Sequence, residues 1–124
     1  MANEVQPLFR PGREFTARTT ASVTGKTFVD VSATRGADGL IRVATAAAGA
    51  KALAVAGYDA ASGATVTLFR GGIVPVTAGG TIAFGAEVEV GASGRPITLA
   101  SGKAVGKAVE AGTNGNDILI AIYE

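Results

Sequence analysis

The sequence predicts an all-β fold, a sandwich or barrel of short strands with an extended N-terminal arm. Three observations carry that expectation. From Lys26 onward, short β-branched runs are separated by glycine-rich turns, the pattern of a sandwich or barrel. Phe28-Val29-Asp30-Val31, Val66-Thr67-Leu68 and Glu87-Val88-Glu89-Val90 alternate with the two-residue period of half-buried strands. Helical signals are weak: Ala46-Ala47-Ala48 has good propensity, so a short helix or turn is expected within 44–55, but Gly49 interrupts it.

Taken in order, residues 1–22 form the expected arm and residues 23–124 a single barrel-like domain. Pro7 and Pro11 have fixed φ and no backbone donor, and they bias Gln6 and Arg10 toward extended geometry. Leu8, Phe9 and Phe15 then either fold back on their own domain or reach a neighbouring chain; chain termini are loose unless something ties them down. Nine strands are expected at Thr27 to Ser32, Leu40 to Ala44, Ala52 to Gly57, Thr65 to Phe69, Ile73 to Val76, Glu87 to Val90, Ile97 to Leu99, Val105 to Val109 and Ile118 to Tyr123. Ala37-Asp38-Gly39, Ser62-Gly63, Arg70-Gly71-Gly72 and Ala92-Ser93-Gly94 supply residues that accept positive φ, so hairpins are expected there. Residues 77–86 read as a loop with Phe84 as its core anchor.

Composition limits both stability and chemistry. Hydrophobic residues make up 48% of the 124 residues, yet Ala and Gly together are about a third of the chain and bury little apolar area each. Ordering a residue costs on the order of 1–2 kcal/mol, and 18 glycines raise that cost, so help from partner subunits is expected. Eleven Lys plus Arg stand against ten Asp plus Glu, scattered singly, which argues against a nucleic-acid surface. The chain has no cysteine and no histidine, removing thiol chemistry and the side chain best suited to proton transfer near neutrality. No apolar run approaches the ~20 residues of a membrane span, and Met1-Ala2-Asn3-Glu4 does not open a signal peptide.

The local motifs are weaker than their structural readings. Gly25-Lys26-Thr27 ends like a phosphate-binding loop, but Thr20 stands where that loop needs glycine and a strand follows in place of a helix. Gly112 to Ile120 resembles one nonapeptide of a calcium-binding β-roll, which needs stacked copies to enclose an ion. Glu87 and Glu89 share one strand face at the spacing of a paired acid site, which is equally that of an exposed face with Val88 and Val90 turned inward. Asp59, in a turn, is expected to cap local amides. Aromatics are 6% of the chain with no Trp, which disfavours sugar or single-strand stacking platforms. No catalysis, cofactor, metal or small-molecule substrate is expected.

The opening Met1-Ala2-Asn3-Glu4-Val5-Gln6-Pro7-Leu8-Phe9-Arg10-Pro11-Gly12, followed by Phe15-Thr16-Ala17 and Thr24-Gly25-Lys26, resembles a family of tailed-phage capsid decoration, or cement, proteins. The likeness continues through 54–60, 72–76 and 85–91 to Val105-Gly106-Lys107-Ala108. It implies a structural protein made in the host cytoplasm that binds the outer surface of the expanded head, commonly as a homotrimer, and bridges major capsid subunits. On that reading Val5, Leu8, Phe9 and Phe15 are apolar anchors to the shell and Arg10 and Arg13 polar contacts; no family motif assigns those roles. The alternatives are another virion component, such as a head fibre base or tail protein, and a carbohydrate-binding β module for host attachment. The architecture the resemblance implies is all-β, a compact β-barrel or β-tulip-like domain of short strands with an extended N-terminal arm; an open sandwich is the alternative.

Overall fold

The computed structural model describes residues 13–124. Its strands are β1 (Glu14–Thr19), β2 (Phe28–Ala33), β3 (Ile41–Thr45), β4 (Ala54–Ala56), β5 (Thr65–Phe69), β6 (Ile73–Thr77), β7 (Glu87–Val90), β8 (Pro96–Thr98), β9 (Gly106–Ala108) and β10 (Asp117–Ile122). The nine expected strands are present with ends shifted by a residue or two. No helix forms between β3 and β4, where Gly49 turns the chain with φ 77°. One 3-10 turn, Ala92–Gly94, joins β7 to β8.

The arm expected over 1–22 is corrected where it can be seen, since Glu14–Thr19 is a barrel strand. Residues 1–12 lie outside the described residues, and with them Val5, Leu8, Phe9 and Arg10. β1 alternates as a half-buried strand should: Phe15, Ala17 and Thr19 point inward, Glu14 and Thr16 outward. The hydroxyl of Thr19, buried at the strand end, donates to the Ala61 carbonyl at 2.6 Å, so a polar residue occupies an interior position without an unpaired group.

The first five strands close a barrel in the order β1-β3-β2-β4-β5, with β5 returning to β1. β1 and β3 run parallel, Ala17 facing Ile41 and Thr19 facing Val43; the other pairs are antiparallel. The last five strands form an open antiparallel sheet in the order β6-β10-β9-β7-β8. The order is the same, strand for strand, and so are the turns. Val23 and Ala60 exchange two backbone hydrogen bonds, as do Ile82 and Gly112. Lys26 N–H donates to the Ala56 carbonyl, and Gly85 N–H to that of Ala108; both donors have left-handed φ, 62° and 78°. Gly57 donates to Thr67 as Val109 does to Leu119, and Thr20 to Val43 as Gly79 does to Pro96. One supersecondary unit is built twice.

The second unit keeps one bond across its closing seam, from Gly79 N–H to the Pro96 carbonyl, and the seam extends no further. Pro96 stands where the barrel has Val43 and has no N–H to extend the pairing. Below it the 3-10 turn packs on the barrel: a Cβ on Gly94, whose φ is 73°, would lie 2.7 Å from the Phe28 carbonyl oxygen. The barrel then fills the concavity. Phe28, Ala46 and Val55 on its outside pack with Val76, Ile82, Val88, Val105, Ile118 and Ile120 of the second unit, while Phe15, Val29, Val43, Val66 and Leu68 form the barrel's own core. All three residues of β4 are buried, the alanines inside the barrel and Val55 in the second core. Burying side chains such as Phe28 or Leu68 contributes roughly 1.5–3 kcal/mol each.

Two further expectations are corrected. Phe84 is 77% exposed, because Ile82, held by its bridge to Gly112, fills the interior and puts Phe84 at the tip of the turn. Glu89 is buried and Glu87 exposed: the segment around Gly49 and residues 100–103 folds over Glu89, whose Oε1 accepts the Ala100 N–H at 3.0 Å.

Candidate docking surface

The residues singled out for chemistry do not converge. Glu87 accepts the Tyr123 hydroxyl at 2.9 Å, whereas Glu89 is closed over by its loop, so the two carboxylates face different partners. Partial desolvation first, and that hydrogen bond second, push the Tyr123 phenol up from its ordinary value. Gly25-Lys26-Thr27 is a turn into β2, in which Lys26 Nζ reaches Asp117 and the Thr27 hydroxyl donates to the Thr24 carbonyl at 2.6 Å. Asp59 caps an amide, but in the neighbouring turn: Gly25 N–H donates to its Oδ1 at 2.8 Å. Gly112 to Ile120 is the turn and strand of the second unit, matched by Ala60 to Leu68 of the first. Among the described residues no group of three acidic side chains could hold a metal ion, and no buried side-chain nitrogen or oxygen lacks a partner. Exposed aromatics stand apart in the chain, on the turn after β4 (Tyr58), the turn before β7 (Phe84) and beyond β10 (Tyr123).

The predicted shell-contact residues divide. Arg13 is 66% exposed and pairs with Glu124 at 3.3 Å. Phe15 is buried in the barrel core, which corrects its expected role as an anchor to the shell: the inward face of β1 holds it opposite Leu68.

Two ionic clusters tie elements together. Asp38, in the β2–β3 turn, takes Arg42 at 3.0 Å and Arg18 of β1 at 2.9 Å; Arg42, the Leu40 amide and Arg18 hold its carboxyl well below the usual carboxylate range. Asp117 of β10 takes Lys26 of the barrel turn at 2.6 Å and the Thr77 hydroxyl at 2.7 Å, and both contacts lower its pKa. Asp38 braces the barrel, and Asp117 pins barrel to sheet.

Two shallow clefts lie at the junction of the units. One, of about 290 Å³, is polar, with Asp30, Lys51, Arg70, Tyr123 and Glu124 on its walls. The other, of about 280 Å³, is apolar and runs between β6 (Val74, Pro75) and the barrel (Val55, Gly57, Phe69). The first carries charged side chains of both signs and the second an apolar wall, and both lie open at the surface.

Comparison with known proteins agrees. The phage cement protein family matches residues 10–123. Among solved structures, the head fibre gp8.5 N base of bacteriophage phi29 superposes with a TM-score of 0.75 at 26% identity, over 89% of this chain and 92% of that one. No curated protein sequence matches. Both the matching family and the matching fold are those of phage structural proteins. The chain therefore belongs to the phage cement protein family, as a structural component of the virion that decorates the capsid.

Proposed function

We propose that the protein sits on the outside of the expanded head as a homotrimer, bridges neighbouring major capsid subunits, and acts by contact alone, without catalysis or cofactor. Its synthesis would take place in the host cytoplasm. The observation that carries this reading is the family match across nearly the whole chain. The physics supports it: a rigid pair of β units presents fixed surfaces at low entropic cost, and modest contacts multiply across linked subunits and many equivalent sites. Arg13, exposed at the start of the described chain, would reach the shell together with Val5, Leu8, Phe9 and Arg10 of the preceding segment.

The test is to add the purified protein to expanded heads of the same phage assembled without it. Saturable co-sedimentation, a trimeric mass by light scattering and a higher rupture temperature of the loaded heads are expected. A protein that stays in the supernatant when the heads pellet contradicts the proposal. The match to the phi29 head fibre base favours a second reading, in which this body fastens a fibre to the head. That reading predicts binding with no rise in rupture temperature.

A further inference from the structure

Because one unit is built twice, each outward position has a counterpart, and the two can be compared. On the second sheet, Pro75 pairs with Leu119 across β6 and β10, and Val109 N–H donates to the Leu119 carbonyl; these three form an apolar rung. The matching barrel positions are Thr16, Thr67 and Gly57. Ile73 matches Glu14, and Phe84 matches Gly25. Ile73 is 60% exposed, Phe84 77%, Val109 45% and Leu119 39%. Elsewhere the comparison runs the other way. The register pair Phe28–Val55 is apolar and points out of the barrel, and the second unit covers it; its counterpart Glu87–Lys107 is charged and exposed. Within this molecule, an apolar pair on an outward face marks a face that something covers.

We infer that the outer face of β6-β10-β9, formed by Ile73, Pro75, Phe84, Val109 and Leu119, is the surface that seats on the outer face of the capsid shell protein. This rests on the cement reading and names its contact surface. Two observations select the shell over a second copy of this chain. The exposed parts of the five side chains amount to on the order of 500 Å², the size of the largest apolar patch on a monomer, which is often functional, and below the ~1,000–2,500 Å² that each side of an obligate subunit interface buries. The first described residue also lies at the border of this face. The Arg13 carbonyl accepts the Arg70 N–H at 2.8 Å, in the turn that enters β6 at Ile73. Arg13, itself a proposed shell contact, therefore stands beside the patch. The apolar cleft along Pro75 continues the face toward the barrel and offers room for one protruding apolar side chain of the shell. The partner's matching surface is apolar at its centre with a polar rim, since Asp117 and Lys26 at the border neutralise each other while Lys107 of β9 and Glu110, which accepts the Leu119 N–H, stay exposed beside the patch.

The test uses full-length protein and heads assembled without it, with Phe84→Asp and Leu119→Glu as variants and Thr16→Glu, at the barrel position matching Pro75, as control. Each face variant is expected to keep the wild-type melting temperature and solution mass and to lose at least tenfold in apparent affinity for heads, while the control binds as wild type. Phe84 stands at a turn tip, so its variant keeps the test valid should Leu119→Glu perturb the sheet. Undiminished binding by Phe84→Asp and by a folded Leu119→Glu overturns this inference alone. A variant that falls from oligomer to monomer assigns the face to a second copy and also overturns it. Failure of the wild-type protein itself to bind heads overturns the cement reading, and the inference with it.

Discussion

The barrel and the open sheet use the same strand order, the same two-residue bridges and the same left-handed turn positions, yet one closes on itself and the other closes on its twin. The difference teaches where this small protein finds its core. The barrel fills its interior with its own side chains; the second unit, its closing seam cut short at Pro96, takes Phe28, Ala46 and Val55 of the barrel as its plug. A thin Ala- and Gly-rich composition is thereby organised around two linked cores, and the second unit is left with an outward face that carries apolar residues.

Breaking the plug should have the largest effect. Phe28→Ala removes the ring at the junction and is expected to destabilise by ~3–5 kcal/mol in chemical denaturation. Glu87→Ala, at the matching exposed position, should cost no more than about 1 kcal/mol, chiefly the hydrogen bond from Tyr123. Equal losses at the two sites would contradict the plug.

Next comes the seam. Gly94→Ala combines a left-handed φ with a Cβ 2.7 Å from the Phe28 carbonyl, and should cost roughly 2–3 kcal/mol. Gly63→Ala and Gly115→Ala sit at matching turns, with φ 80° and 86° and open space around the added methyl. Each should cost about 1 kcal/mol, equal within a few tenths if the turns are equivalent. Equilibrium unfolding of the three variants separates strain from collision.

Acid tests the two ionic clasps. Asp38 and Asp117 both have folded pKa values below the ordinary 3.8. The stability they contribute is fully present above the unfolded value and is lost as pH falls through it toward the folded ones. The melting temperature should therefore fall below about pH 4, the ordinary Asp range. Asp117→Asn should flatten that fall by loosening barrel from sheet, and Asp38→Asn by loosening β1 from β3. The smallest effect belongs to Lys26→Gly, which installs the residue found at its counterpart Gly85. In high salt, where the exposed pair with Asp117 is screened, relief of the left-handed backbone should stabilise by up to about 1 kcal/mol; at low salt the lost pair offsets it.

Most of the architecture was legible because strands of this kind announce themselves through alternation and glycine turns. β1 was not, although Phe15, Ala17 and Thr19 do alternate: a buried threonine looks polar in sequence, and only the Ala61 carbonyl that receives its hydroxyl makes it an interior residue. Glu89 and Phe84 exchanged their expected places for a related reason, since a loop covers the one and Ile82 displaces the other, and neither event is local in sequence. The duplication was hidden because it rests on backbone bonds; Val29 and Val88, Ala56 and Ala108, and Gly63 and Gly115 are among the few identities it keeps. The apolar face was equally hidden, since Leu119 lies in the run Ile118-Leu119-Ile120 and reads as core until the strand places it outside. The family resemblance, by contrast, was carried by turns and strands along nearly the whole chain, and the match over residues 10–123 agrees with it.

The most direct test is hydroxyl-radical footprinting of the wild-type protein, free and bound to expanded heads. The account predicts that Phe84, Leu119, Ile73 and Pro75 lose reactivity on binding while the exposed barrel residue Val31 keeps it. Protection of Val31 with unchanged reactivity at Phe84 and Leu119 would contradict the claim that the open unit is the one that meets the shell.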